Sequence, residues 1–222
     1  MDWRALALSF QLAAATALVL LPLAIWAGRL LALRRFPGKG FAEALVALPL
    51  LLPPTVVGFY LLIAFGPRSP LGAAFQALAG HSLAFSFWGL LLASIIINVP
   101  FVVQPVQRSF ETIPREVREA AACCGMTPFK AFLRIELPLA WPGIATGIVL
   151  AFAHTLGEFG VVLMVGGSIP GETKTIAISI YDRVQAFDNR SAGIMAATLL
   201  VLSLGALSIT NTLTNRVGRR YL

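Results

Sequence analysis

Five uncharged stretches, each long enough to cross a bilayer, constrain this chain more than any other feature. A hydrocarbon core of ~30 Å needs about 20 apolar residues in helical form. The runs cover 5–28, 44–67, 83–103, 137–157 and 191–215. Admitting Glu158 extends the fourth, so that a span over 139–165 is expected. In lipid every backbone N–H and C=O must be satisfied within the segment, and for runs of this length that means helix. The predicted fold is therefore an all-α membrane protein with about five transmembrane helices, forming one domain over 1–222. Composition agrees: 58% of residues are hydrophobic and only 12% charged, with a mean hydropathy of +0.83, whereas soluble domains carry about a quarter charged residues. The first run is expected to be a retained span. Its leading Met1–Arg4 segment has no net charge, and the run exceeds the ~7–15 residues of a signal-peptide core.

Orientation follows from Lys and Arg. With Met1 outside, the inner segments hold Arg29, Arg34, Arg35, Lys39, Arg108, Arg115, Arg118, Lys130, Arg134, Arg216, Arg219 and Arg220. The outer segments hold only Arg4, Arg68, Lys174, Arg183 and Arg190. The N-terminus is therefore placed outside and the C-terminus in the cytoplasm. The net charge of +7 is accounted for by this topology, and no nucleic-acid interface is expected.

Several runs are punctuated. The second contains Pro49, Pro53, Pro54 and Gly58, and interior proline removes a backbone bond and crowds the preceding turn. A kinked span is expected there. The segment 66–82 reads as an outer loop with a short interfacial helix, His81 being a solvated loop residue. In 166–190, Gly166, Gly167, Pro170 and Gly171 mark a reversal. Ile176, Ile180, Val184 and Phe187 then recur near helical spacing, predicting an amphipathic outer helix.

Hydrolytic chemistry is not signalled. Pro37-Gly38-Lys39-Gly40 lacks the spacing and the Ser/Thr of a phosphate loop, and no nucleophile elbow or carboxylate pair is present. Cys123 and Cys124 are adjacent, a poor geometry for a disulfide and too few ligands for a metal; they read as small apolar filler. No catalytic residue, metal site or cofactor is expected.

The segment 114–138 interrupts the apolar pattern with Arg115, Glu116, Arg118, Glu119, Lys130, Arg134 and Glu136. Pro114 suits a first helical turn, and Val117, Ala120, Ala121 and Cys124 share a face. Gly125 is placed to end that helix in a left-handed cap. Thr127-Pro128 then signals the start of a second helix, presenting Phe129, Phe132 and Leu133. Bare aromatics on the cytoplasmic side predict a protein partner, with an interfacial helix pair on lipid headgroups as the alternative.

Glu119-Ala120-Ala121, Gly125, and Ile135-x-Leu137-Pro138 match E-A-A-x3-G-x9-I-x-L-P at every defined position. This resembles the EAA loop of bacterial ABC-importer permeases, whose coupling helices sit in a groove of a separate ATPase. Phe36-Pro37-Gly38-Lys39, Leu48-Pro49-Leu50, Leu52-Pro53-Pro54, Leu156-Gly157-Glu158-Phe159-Gly160 and Ile169-Pro170-Gly171-Glu172-Thr173 look like the molybdate-importing branch, with sulfate permeases sharing related strings. The resemblance implies a type I importer permease fold and a homodimer of permease copies in the lipid bilayer. It also implies two ATP-binding cassette subunits and an extracytoplasmic oxyanion-binding protein as partners. Coupling would then fall to Glu119, Ala120, Ala121, Gly125, Phe129, Phe132, Ile135, Leu137 and Pro138. Phe129 and Phe132 are the expected docking knobs, and Glu119 is expected to hold the loop's shape.

An acid within a membrane span is a functional candidate by default. Glu158 and His154, one turn apart, could hydrogen-bond. Because a carboxylate repels an oxyanion, a structural or gating role is expected for Glu158, with His154, Gly157, Gly160, Pro53 and Pro54. Polarity alone nominates Thr55, Ser94, Asn98, Thr155 and Ser203 as pathway lining. The alternatives carried forward are a sulfate or tungstate permease and a non-transporting membrane scaffold.

Overall fold

The computed structural model describes the backbone of residues 1–221 and side chains through Ser208. The end of the fifth run, 209–215, and the basic residues Arg216, Arg219 and Arg220 lie outside the described side chains. Among the described residues every regular element is a helix. α1 (Trp3–Leu33), α5 (Phe87–Glu111), α8 (Leu137–Gly157) and α11 (Asn189–Tyr221) are the long elements. Among the described residues, four helices are long and apolar enough to cross a membrane, five if one bent pair counts as a single span.

α1, α5 and α8 pack mutually because each carries small residues on the shared face. Ala13, Ala17, Ala24 and Gly28 of α1 are buried, and a β-carbon at Gly147 of α8 would fall 3.0 Å from Val102 Cα of α5. Close backbone approach is how helices associate in lipid, where burial of apolar surface gives no net drive. Leu20, Val102, Val106, Phe110 and Ile144 fill the seam.

The second predicted span is broken rather than kinked. α2 (Lys39–Leu51) and α3 (Pro54–Phe65) meet at 107°. Leu52 and Pro53 are extended at the break, as expected of residues that precede proline. The fourth is also shorter than the predicted 139–165. α8 stops at Gly157, Glu158 is extended, and a separate α9 (Gly160–Gly166) follows. The third span sits later than 83–103, since Ser86 caps α5 by accepting from the Gly89 N–H at 3.2 Å.

The outer segments contain the two helices expected there, α4 (Pro70–Ala79) and α10 (Ile176–Gln185). The face of α10 differs from the apolar stripe read from sequence. Ile176, Ile178 and Ser179 are buried, whereas Phe187 is 90% exposed. Polar ties to α1 set this rotation. Ser179 Oγ donates to Asp2 Oδ2 at 3.1 Å, and the Ile176 N–H donates to Ser9 Oγ at 2.8 Å.

Candidate functional site

The basic end of the bundle carries the polar segment on α6 (Arg115–Cys123) and α7 (Pro128–Ala131). Pro114 is the N-cap of α6, one residue before its first turn, and Gly125 adopts φ +73° at the corner. Open space surrounds Gly125, so the requirement for glycine is conformational and not steric. Thr127 caps α7, its Oγ1 accepting from the Lys130 N–H at 3.4 Å.

Beyond α7 the structure departs from the expected pair of separate helices. A π-helical turn, Phe132–Glu136, joins α7 to α8 without a break, so the expected second coupling helix is the cytoplasmic end of a transmembrane helix. The Leu137 N–H reaches back five residues to the Phe132 carbonyl. Pro138 explains the widening, because its ring would crowd the Arg134 carbonyl in α register and it has no N–H to donate.

The predicted coupling residues fall into two sets. Glu119, Ala120, Gly125 and Phe129 are exposed, Phe129 at 68%. Ala121 is buried, and Phe132, Ile135, Leu137 and Pro138 are half-buried. Phe132 therefore lies inside the joint rather than on the outer surface, with the Arg29 guanidinium 5.0 Å above its ring. Glu119 accepts from Arg115 Nε at 2.7 Å, a pair within one helix that does not cross the corner. Both partners are exposed, so it contributes a few tenths of a kcal/mol at most.

Sequence reasoning missed the most buried acid of this region. Glu136 is 3% exposed and accepts from Arg29 Nε at 2.6 Å. The pair ties the end of α1 to the π turn. Its sequence signal is the presence of Arg29 at the close of one apolar run and Glu136 at the opening of another. Alongside, Gln107 of α5 donates to both Glu43 of α2 at 2.8 Å and Glu111 at 2.9 Å. Charged and amide groups thus tie α1 to the π turn and α2 to α5 at the cytoplasmic side.

Deeper in the bundle, Ser94, Asn98, Thr155 and His154 come together between α5 and α8. Asn98 Nδ2 donates to the Ser94 carbonyl at 2.7 Å and to Thr155 Oγ1 at 3.0 Å, and Asn98 Oδ1 lies 3.1 Å from His154 Nδ1. The His154 ring stacks on Phe101, with centroids 4.2 Å apart. Ser94, Asn98 and Thr155 are buried, so three of the five predicted lining residues lie between helices within the chain. Thr55 is exposed on α3 and Ser203 half-buried on α11, apart from this cluster.

Glu158 sits just beyond. Its Oε1 accepts from the Val161 N–H at 2.9 Å, and its Oε2 lies 3.6 Å from His154 Nε2. The first contact caps α9; the second is too long for a hydrogen bond. Gly157 and Gly160 flank it. A β-carbon at Gly160 would fall 2.9 Å from Pro54 Cβ, so the α8–α9 break lodges against the α2–α3 break at Pro53 and Pro54.

Comparison with known proteins places this architecture. Residues 20–221 match the family described as binding-protein-dependent transport system inner membrane component. The molybdenum transport system permease protein ModB of Azotobacter vinelandii is 45% identical over 91% of this chain and 89% of its own. Its namesake in Escherichia coli K12 is 35% identical over 98% and 94%. The sulfate permease CysT of the same strain is also 35% identical, but over 85% of this chain and 68% of its own. Among solved structures, a bacterial alginate ABC transporter in complex with its periplasmic protein superposes with a TM-score of 0.76 over 96% of this chain and 78% of that one, at 19% identity. The chain belongs to the inner-membrane components of binding-protein-dependent transport systems.

Proposed function

We propose that this chain is the permease subunit of an ABC importer that carries molybdate across the inner membrane. The observation that carries the reading is the 45% identity to a molybdenum permease along nearly the whole of both chains. The 114–138 segment supports it from the structural side. Two copies of the chain would enclose the pathway, two ATP-binding cassette subunits would dock at the cytoplasmic corner, and an extracytoplasmic binding protein would deliver the oxyanion. ATP hydrolysis belongs to the docked subunits, and the chain itself is assigned no catalytic step and no cofactor.

Exposed Phe129, Ala120 and Gly125 form the surface on which the ATPase presses. Phe132, Ile135, Leu137 and Pro138 form the joint that carries the displacement into α8. Because α7 continues into α8 through the π turn, a movement at Phe129 rotates or tilts a span directly. Glu136, held by Arg29, sets the pivot. The far end of α8 is the Gly157–Gly160 break, where the Glu158 cap and the Asn98–His154–Thr155 cluster register the helix against α5 and α9. The ligand contributes by favouring one of two arrangements, as population shift requires. Glu158 acts in this scheme as a structural and gating residue, not as a substrate contact.

Reconstitution tests the reading. The chain with its ATPase in liposomes should hydrolyse ATP faster when binding protein loaded with molybdate is added. Stimulation by sulfate-loaded protein alone would overturn the cargo assignment in favour of sulfate. No stimulation by any loaded protein, with the complex intact, would favour a scaffold. Tungstate-loaded protein is expected to stimulate as molybdate does, because the two oxyanions share charge and shape.

A further inference from the structure

A groove of about 730 Å³ opens at the basic end of α1, between that helix and the α7–π-turn joint. Its walls are apolar, and two guanidinium groups, Arg29 and Arg34, stand on its rim. We propose that this groove is a binding site for an anionic phospholipid of the cytoplasmic leaflet. The site is distinct from the cargo pathway and adjoins the proposed ATPase surface, since Phe129 lines one wall of the groove.

Three features select that occupant. The first is charge. Arg29 is half-neutralised by Glu136 through Nε, but its terminal nitrogens make no bond among the described residues. Arg34 is exposed and has no ion pair among the described residues. Two guanidinium groups against one carboxylate leave a single positive charge, matching a lipid phosphodiester with a net charge of minus one. Guanidinium suits phosphate oxygens in particular, since its fork of donors can engage two at once.

The second feature is continuity with lipid. Pro22, Trp26 and Leu30 line the groove at helical spacing. Along the same flank of α1, Leu18 is 70%, Leu23 51% and Trp26 67% exposed. This stripe runs from the groove towards the membrane centre, so an acyl chain could lie along it while the headgroup stays at the arginines. The third is level. Trp26 and the arginines mark the membrane–water boundary, where indole rings and basic side chains concentrate. Arg29 is held in place before any ligand arrives, by Glu136 on one side and the Phe132 ring on the other, so little side-chain ordering remains to oppose binding.

The neighbouring Arg35 provides the control. It carries the same charge at the same level but does not line the groove. The full chain, purified with its ATPase and stripped of lipid, is titrated with phosphatidylglycerol or phosphatidylcholine and bound lipid is counted by native mass spectrometry. The intact complex should favour phosphatidylglycerol about fivefold, the scale expected for one basic residue at a membrane surface. Arg34→Gln should abolish that preference, while Arg35→Gln keeps it. Equal losses in the two variants would reduce the effect to bulk surface charge and overturn the site, as would the absence of any preference in the wild type. Displacement of the lipid by millimolar inorganic phosphate, to about the same extent in both variants, would also overturn it, assigning the groove to free phosphate.

Discussion

The Arg29–Glu136 pair gives a quantitative test of how the cytoplasmic joint is held. The Glu136 side chain is 4% exposed and that of Arg29 36%, so the two partners are not equivalent. Replacing Arg29 by Met keeps an unbranched stem over Phe132 but strands a carboxylate in the interior. Loss of one partner of a buried pair costs about 3–5 kcal/mol; because Arg29 is a third exposed, the lower end, about 3 kcal/mol, is expected. Glu136→Gln keeps volume and an acceptor for Nε, and the released guanidinium can reach water, so its cost should stay near 1 kcal/mol. The double variant Arg29→Met/Glu136→Gln removes the stranded charge and should lose only about 1 kcal/mol in all, a coupling of about 3 kcal/mol. For a domain of this length 1 kcal/mol corresponds to roughly 2–4 °C. A tryptophan-fluorescence thermal-unfolding assay in detergent should therefore show a drop of about 6–12 °C for Arg29→Met, and a much smaller one for the other two. Equal shifts for the two single variants, or additive losses in the double, would refute the claim that Glu136 is the desolvated partner.

The same geometry sets further outcomes. Gly125→Val should place a β-branched residue at φ +73°, costing about 1–2 kcal/mol, and abolish ATPase co-purification from a membrane-inserted chain; Gly125→Asn, which tolerates that conformation, should retain most of it. Gly147→Leu should separate α5 from α8, since even a β-carbon meets Val102 at 3.0 Å, and lower the yield of folded chain on size-exclusion chromatography. Asn98→Leu should leave Thr155 and His154 short of a partner, at about 1–3 kcal/mol, read as a lower unfolding temperature. Asp2 at the outer end has its carboxyl held below the ordinary 3.8: burial opposes the shift, but hydrogen bonds from Ala5 and Ser179 and the charge of Lys174 outweigh it. The clasp between α1 and α10 is thus present above pH 3.8 and lost as pH falls through a still lower value. Hydrogen exchange at Ile176 should be unchanged between pH 7 and 5 after correction for intrinsic rates, and raised in Asp2→Asn.

Length and charge were enough to read the helical class, the approximate span count and the cytoplasmic position of 114–138, because each follows from burying or solvating a local run. The Gly125 corner and the Thr127 cap were legible for the same reason: their physics is contained in a few neighbouring residues. Rotation of α10 was not, since Ser179 is buried by a bond to Asp2, 177 positions away. Nor was the burial of Glu136, which depends on the end of α1 reaching the π turn. Polarity nominated Ser94, Asn98 and Thr155 as pathway lining, and the structure buries them between helices. Polarity could not tell a residue facing a pathway from one joining two helices, because that depends on which neighbour packs opposite.

The two helix breaks look unrelated in sequence, yet in the structure they support one another. Pro53 and Pro54 end α2, and Glu158 with its flanking glycines ends α8. Each break leaves a notch, and Pro54 fills the one opened by Gly160 while Met164 and Val161 of α9 close over Gly58 of α3. Unpaired backbone at membrane depth is tolerable only where protein or water satisfies it, and here the Glu158 carboxylate supplies one partner by capping Val161. Glu158→Gln retains an acceptor and should keep α9 folded, whereas Glu158→Ala should fray α9 and loosen α3 with it. The readout is amide hydrogen exchange across α3 and α9 in the intact importer. Equal protection of both helices in wild type and Glu158→Gln, with faster exchange in both in Glu158→Ala, is expected; exchange in α3 that stays the same in all three would show that the two breaks stand independently and that movement of α8 does not reach α3 through α9.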